Sequence, residues 1–309
     1  MNRFGNKFTL TTFGESHGVA VGGIIDGCPA GLELDFGAID ESLRRRRQGD
    51  GIAPSCLTTR QETDRIEWLS GLLEGKTLGT PIAFLVRNND INNDDYQEIK
   101  GLYRPGHADY TYQARYGTYD WRGGGRASAR ETVARVIAGE IARQCLVHNK
   151  MRDFTISAHA VKKGTIECTL QGVPAGIGNP IFAKLNATFA YAMMSIPSAI
   201  GFEIGAGFAG TSMSGEGWRD EWNKDASTQS NHCGGIQGGI SNGMPITFRV
   251  AFHAPTTTPG IETKCLDETE HRLATITPSG RHDLDQTSRL PVIVEAMASL
   301  TLMDLVADI

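Results

Sequence analysis

One short segment occurs twice in this chain. Gly27-Cys28-Pro29-Ala30-Gly31-Leu32 is echoed by Gly172-Val173-Pro174-Ala175-Gly176-Ile177, and each copy follows a strand-like run and precedes a helical stretch. Two copies are too few for a solenoid, whose units bury a core only by stacking. They suggest a duplicated unit within one domain, or the same turn chemistry met twice. Phe8–Phe13 alternates at period two, and Val19–Ile25 and Ile82–Val86 are further strand candidates. Helical spacing marks Phe36–Arg47, Arg122–Asn149, Phe182–Ile196 and Pro291–Ala307, the last two read as amphipathic. Strands in both halves, long helices and no regular strand–helix alternation favour an α+β fold over a doubly wound parallel sheet.

The charge pattern narrows the function. Of 30 basic residues 21 are Arg and only 9 are Lys, and 13 of the Arg fall between Arg44 and Arg135. Arg is the planar, always-charged fork that matches phosphate and carboxylate. The whole chain nevertheless carries a net charge of −5 with a pI near 5.9, which argues against a broad nucleic-acid surface. An acidic protein with its Arg concentrated in one stretch points to a small polyanionic ligand, the alternative being a solvated face of paired charges. The six cysteines are widely spaced and form no C-x-x-C. With no secretory signal and no apolar run of membrane length, the expectation is free buried thiols in a reducing cytoplasm, without a membrane partner.

Gly123-Gly124-Gly125-Arg126 runs into Ser128-Ala129-Arg130-Glu131, an S-x-x-E capping box ahead of the clearest helix. A glycine loop feeding a helix N-terminus gathers backbone N–H groups where an anion is favoured. Three histidines sit in glycine-rich polar turns: Ser16-His17-Gly18, Gly106-His107-Ala108 and Arg281-His282-Asp283. Histidine titrates near neutral pH, and a phosphate held by neighbouring arginines biases it toward the protonated form that a departing phosphate requires. Gly71-Leu72-Leu73-Glu74-Gly75-Lys76-Thr77 mimics a P-loop but is one residue short between its glycines. No dinucleotide fingerprint follows a strand. There is no H-E-x-x-H, and the arginines would repel a divalent cation, so no metal is expected. The residues themselves therefore imply an enzyme acting on a small phosphorylated anion with histidine acid–base groups. A non-catalytic anion- or RNA-binding module is the other class, disfavoured by the acidity and the scarcity of Lys.

Several longer motifs carry a resemblance: Phe13-Gly14-Glu15-Ser16-His17-Gly18, Arg45-Arg46-Arg47, the segments Arg104–Tyr112 and Arg122–Thr132, Gly172–Gly176, Ser230–Gly243 and Gly280–Asp283. Together, and in this order along essentially the whole chain, they resemble the chorismate synthase family. The resemblance implies a single domain over 1–309, a layered β-α-β sandwich with an internal pseudo-twofold repeat and helices between two antiparallel sheets, assembled as a homotetramer in the cytoplasm. It implies a carbon–oxygen lyase that converts 5-enolpyruvylshikimate 3-phosphate to chorismate by anti 1,4-elimination of phosphate. That is the last common step of the shikimate pathway, leading to aromatic amino acid biosynthesis. Reduced FMN is required without net redox change, and NADPH enters only as a possible reductant. By motif, His17 matches the donor to the departing phosphate, His107 the donor to reduced flavin, and Asp283 the acid that takes the ring proton with the flavin. Ser16, Arg46, Arg104, Arg130 and Arg289 match substrate contacts. Arg126, Ala127, Ser128, Gly239, His253, Thr256, Thr257 and Arg281 match flavin-contacting segments.

The departures from the family pattern are specific. Ala127 stands where a serine is usual, His253-Ala254 replaces a Lys-containing segment, and Leu284-Asp285 replaces Pro-Cys. A few tens of residues usual in the family are missing between Ser157 and Thr165. Either the chain is shortened there or a mobile segment was left out of the numbering, and the second is the expectation. The alternative activity is that of a flavin reductase or another FMN-dependent oxidoreductase. The absence of a dinucleotide fingerprint predicts dependence on an outside reductant.

Overall fold

The structure, a computed structural model, describes residues 1–49, 62–92, 94–149, 151–278 and 284–306. In the first half the order is β1 (Arg3–Phe4), β2 (Thr9–Phe13), β3 (Ala20–Asp26), α1 (Phe36–Gln48), β4 (Ile66–Trp68), the hairpin β5 (Leu72–Leu73) and β6 (Lys76–Thr77), β7 (Ile82–Arg87), β8 (Leu102–Tyr103), α2 (Asp109–Tyr116) and α3 (Thr132–Asn149). The second half runs β9 (Thr155–Lys162), β10 (Thr165–Gln171), α4 (Leu185–Met194), β11 (Ala199–Ile204), α5 (Gly215–Trp218), the hairpin β12 (Ile236–Gln237) and β13 (Ile240–Ser241), β14 (Ile246–Phe252), β15 (Thr263–Asp267), β16 (Leu273–Ile276) and α6 (Leu290–Val306).

Two antiparallel sheets, β1-β2-β3-β7-β4 and β11-β14-β10-β9, enclose a helical layer. Each is apolar on the face it turns to the helices. Ile82, Phe84 and Val86 of β7, and Ile246, Phe248 and Val250 of β14, are buried at period two. Helix α3 packs on β2 and β3, α6 packs on β9 and β10, and the two helices pack on each other. The α+β sandwich is therefore as expected. One detail differs: α6 is not amphipathic but buried on nearly every face, because a sheet and three helices surround it. A second concerns the cap. Ser128 accepts from the Arg130 N–H, but Glu131 turns its carboxylate to Arg135 and Arg126, so the capping box is only half formed.

The duplication is visible bond by bond. Thr77 Oγ1 donates to Pro29 O (2.6 Å) and accepts from Leu32 N (3.0 Å), while Thr77 O accepts from Gly31 N (2.7 Å). Ser241 makes the same three bonds to Pro174 O (2.6 Å), Ile177 N (2.9 Å) and Gly176 N (2.9 Å). The P-loop mimic is thus the first copy of a hairpin whose second copy is Gly235–Ser241. Strand order agrees too, with β2-β3-β7 matched by β9-β10-β14. The excursions that follow β7 and β14 meet where β8 pairs with β15. The halves differ most at one turn. β2 and β3 are joined by the polar turn carrying His17, whereas β9 and β10 are closed by Lys163-Gly164, and the chain passes through 157–165 without a break.

Termini and helices are pinned by buried carboxylates. Asp304 of α6 accepts from the N–H groups of Asn6, Lys7 and Phe8 at 2.8, 2.6 and 3.1 Å. Glu295 takes a forked pair from Arg45 (2.6 and 3.1 Å) and the Ala158 N–H (2.8 Å), tying α1 and β9 to α6. The five described cysteines are free, Cys56 lying outside the described residues. Among the described residues no helix is long and apolar enough to cross a membrane.

Gly139 marks the closest approach of α3 and α6. A Cβ there would lie 2.4 Å from Ala296 Cα. Gly139→Ala should raise helix propensity by about 1 kcal/mol, yet destabilise the fold by a net ~1–3 kcal/mol through overpacking. Urea unfolding would show it, and a stabilised variant would mean the helices are not in backbone contact.

Candidate active site

The polar turn Gly14–Gly18 at the end of β2 carries Ser16 and His17, both buried. Ser16 N donates to Gly125 O (3.1 Å), which seats the turn on the glycine loop. Gly123, Gly124 and Gly125 all take left-handed φ values of 57°, 78° and 51°. The His17 ring lies edge-on to Tyr96, with centroids 4.8 Å apart, and its other side rests on Gly123, where a Cβ would be 2.3 Å from the ring. Glycine at 123 is thus required by a close approach as well as by φ.

The arginine run of α1 points the same way. With Arg45 engaged by Glu295, Arg46 donates Nε to Thr132 Oγ1 (2.9 Å) and Nη2 to Ala129 O (3.0 Å), at the start of α3. Its Nη1 is 3.7 Å from Asp64 Oδ2. Arg289 reaches the same helix end through Arg47 O (3.0 Å). Arg130 is buried, with Nη1 on Asp64, Nε on Asn88 Oδ1 (2.9 Å) and Glu62 at 3.9 Å. The side chain of Asp64 is 1% exposed. Burial works to raise its carboxyl, but the charges of Arg46 and Arg130 outweigh it and hold the group below its ordinary value.

A second cluster gathers where β8 and β15 pair. His107 Nε2 is 2.7 Å from Thr257 Oγ1 and 3.1 Å from Thr256 Oγ1, and Gly106 packs on Thr256. Arg104 is buried and forks onto Asp109 with Nε (2.8 Å) and Nη2 (2.9 Å). A cavity of about 1050 Å³ opens beside Gly14-Glu15 of the polar turn and Ala108-Asp109, lined also by Tyr112, Tyr119, Trp121, Arg122 and Arg126; His17, His107, Thr256 and Thr257 do not line it. Ala127 lines it as well, and Arg126 is bonded to Thr12 and Asn2 on the same wall.

The structure therefore brings Ser16, His17, Arg46, Ser128, Arg130 and Arg289 into one network, and His107, Thr256 and Thr257 into another. It does not gather every residue named from sequence. His253 is exposed, with Nδ1 turned to Ala254 O (2.7 Å), and Gly239 packs on Lys184 at the start of α4. Arg281 and Asp283 lie outside the described residues. Sequence reading missed Asn88, Asp64, Glu62 and Tyr96; none falls in a motif quoted from the sequence, so only their convergence in space marks them. Asp109 lies within Arg104–Tyr112 but was given no role there. Among the described residues no trio of His, Cys, Asp or Glu is grouped for a metal.

Asp64 is the counter-charge shared by two arginines. Removing it by Asp64→Ala should cost about 3 kcal/mol, since buried Arg130 loses its nearest carboxylate and partly buried Arg46 loses the same one. The folded-state pKa is lowered, so its contribution is complete above the ordinary carboxylate value near pH 4 and fades as pH falls through the lower folded value. Urea midpoints from pH 7 to 2 should accordingly fall less steeply in Asp64→Ala. Parallel curves for parent and variant would refute the assignment.

A family profile described as chorismate synthase matches residues 8–164 and 160–307. Among curated relatives, the chorismate synthase of Christiangramia forsetii is 44% identical over 350 residues, covering 98% of this chain and 96% of the relative. That of Thermosynechococcus vestitus is 44% identical over 354 residues with the same coverage. A crystal structure of chorismate synthase superposes with a TM-score of 0.73 at 27% identity, covering 98% of this chain and 92% of that one. The profile match divides at 160–164, in the turn between β9 and β10.

Proposed function

The chain belongs to the chorismate synthase family, and from that premise we propose that it eliminates phosphate from 5-enolpyruvylshikimate 3-phosphate to give chorismate, with reduced FMN as the cofactor. The comparisons support this lyase reading and none supports the flavin reductase. The observation that carries it is the seating of His17 against the glycine loop, on the network that also holds the Arg46 fork at the start of α3.

The cavity suits a flavin. Its aromatic lining of Tyr112, Tyr116, Tyr119 and Trp121 can face a flat ring, and Arg122 and Arg126 put guanidinium groups on its wall beside the carboxylates of Glu15, Asp109 and Asp120. When bound, the reduced flavin supplies electron density that assists phosphate departure. His17 gives a proton to the leaving phosphate. Arg46 and Arg289, with the remaining Nη1 of Arg104 and the charge of Arg130, hold the substrate's phosphate and carboxylates beside Ser16. His107, its ring fixed by Thr256 and Thr257, is the proton donor on the cofactor side. Asp283 accepts the ring proton. Ala127, Ser128 and Arg281 belong to the cofactor segment, Ala127 offering its backbone where the family has a hydroxyl. Gly239 and His253 stand apart from the described clusters and are the weakest of the family-derived flavin contacts.

Alignments of 350 positions against 309 residues, with the profile dividing at 160–164, support a family segment missing near the Lys163-Gly164 turn, whether by shortening or by omission. A homotetramer in the cytoplasm is the proposed state. Large apolar side chains on the surface, Phe182 at 95% exposure with Ile181 and Phe208, favour burial against further copies.

Anaerobic incubation with 5-enolpyruvylshikimate 3-phosphate and chemically reduced FMN should yield chorismate and phosphate, followed by absorbance and phosphate release. His17→Ala and His107→Ala should each lower turnover roughly a hundredfold or more. A folded protein without turnover would refute the reading. Oxidised FMN with NADPH should show no NADPH oxidation, because the chain depends on an outside reductant. Steady NADPH consumption would overturn that part alone.

A further inference from the structure

Asn88 stands just past the end of β7, opposite the start of β3, and its side chain faces the turn that carries His17. Its Nδ2 donates to two carbonyls, Glu15 O (3.1 Å) and Gly18 O (2.8 Å), which flank Ser16-His17 on either side. Its Oδ1 accepts from Arg130 Nε (2.9 Å), and its backbone N–H donates to Val19 O (3.1 Å). The amide has one satisfactory orientation, because the guanidinium only donates and the two carbonyls only accept. Arg130 is itself held by Asp64, and Asn88 is buried.

The turn Gly14–Gly18 contains two glycines, and Gly14 has a φ of 93°. A segment of that composition has little stiffness of its own. Its position is set from outside on two flanks, by Asn88 on the carbonyls of Glu15 and Gly18, and by Gly125 O on the Ser16 N–H. Both holds trace to the start of α3, where Gly125 and Arg130 are five residues apart in sequence.

We propose that Asn88, oriented by Arg130, is a positioning residue for His17. It clamps both ends of the turn so that the imidazole stays wedged between Tyr96 and Gly123, at the place where the leaving phosphate must be met. Arg130 then serves the reaction through Asn88 as well as through its charge. The proposal rests on the reading of His17 as the proton donor. Displacing an acid by about 1 Å costs up to a hundredfold in rate, so the clamp governs kcat more than substrate affinity.

The test is a double-mutant cycle on the reduced-FMN reaction, with kcat and KM measured for the parent, His17→Ala, Asn88→Ala and the double variant. Asn88→Ala should lower kcat about tenfold or more in the parent, with KM changed less than about threefold. In the His17→Ala background the same change should alter kcat less than about twofold. Equal losses in both backgrounds would make Asn88 merely structural and overturn the proposal. A parent-like kcat for His17→Ala would instead overturn the proton-donor reading, a result read from a different variant. If Asn88→Ala fails to fold, Asn88→Asp replaces it in both backgrounds. It keeps an oxygen toward Arg130 but loses both donors to the turn, and a parent-like kcat for Asn88→Asp would also overturn the proposal.

Discussion

The backbone contact between α3 and α6 at Gly139 and Ala296 sets the thickness of the helical layer, and both sheets are laid against that layer. It also sets the site. Helix α3 begins at Thr132, directly after the 3-10 turn Ala129–Glu131 that Ser128 caps and that carries Arg130, and α6 is preceded by Arg289 and carries Glu295 in its second turn. Arg45 on Glu295 and Arg46 on Thr132 attach the end of α1 to both helices. Chemistry at the helix starts is therefore built on a buried helix–helix contact.

Six arginines of the stretch from Arg44 to Arg135 are committed to carboxylates within the protein, Arg104 and Arg130 among them buried. Arg45, Arg46, Arg104, Arg126, Arg130 and Arg135 each lie within 4 Å of a carboxylate, and those of Asp64, Asp109 and Glu131 are buried. Buried ion pairs contribute little to net stability once desolvation is counted, though breaking one is costly. Their value here is geometric. A guanidinium already forked onto a carboxylate is held in one orientation and presents its remaining N–H groups and charge in a fixed direction. The local cationic stretch thus combines a ligand-facing role with the paired, structural one that sequence set against it.

Much of the fold was legible. The echo of Gly27–Leu32 in Gly172–Ile177 is a real duplication, because both copies bind a hairpin hydroxyl in the same way. A second echo went unread. Gly71, Gly75, Thr77, Gly79, Pro81 and Ile82 have the spacing of Gly235, Gly239, Ser241, Gly243, Pro245 and Ile246. The resemblance to a P-loop hid it. The amphipathic reading of the last helix failed because sequence spacing does not say how many sides of a helix will be covered. The capping box failed in part because Arg126 and Arg135 compete for Glu131.

By itself the sequence left the strands of the second sheet unnamed but determined three strands of the first, the long helices, the repeat, the family, and the residue types able to hold a phosphorylated anion and move a proton to it. These follow from local periodicity, turn stereochemistry and side-chain chemistry, which neighbours along the chain suffice to express. Tertiary structure alone decided which of those residues meet. His107 finds Thr256 and Thr257 because the two excursions of a duplicated fold pair at β8 and β15. The turn that carries His17 is bonded by Asn88, and Asn88 by Arg130, across separations of about seventy and forty residues. Such contacts are made when sheets and helices pack, and no pattern of neighbours along the chain records them.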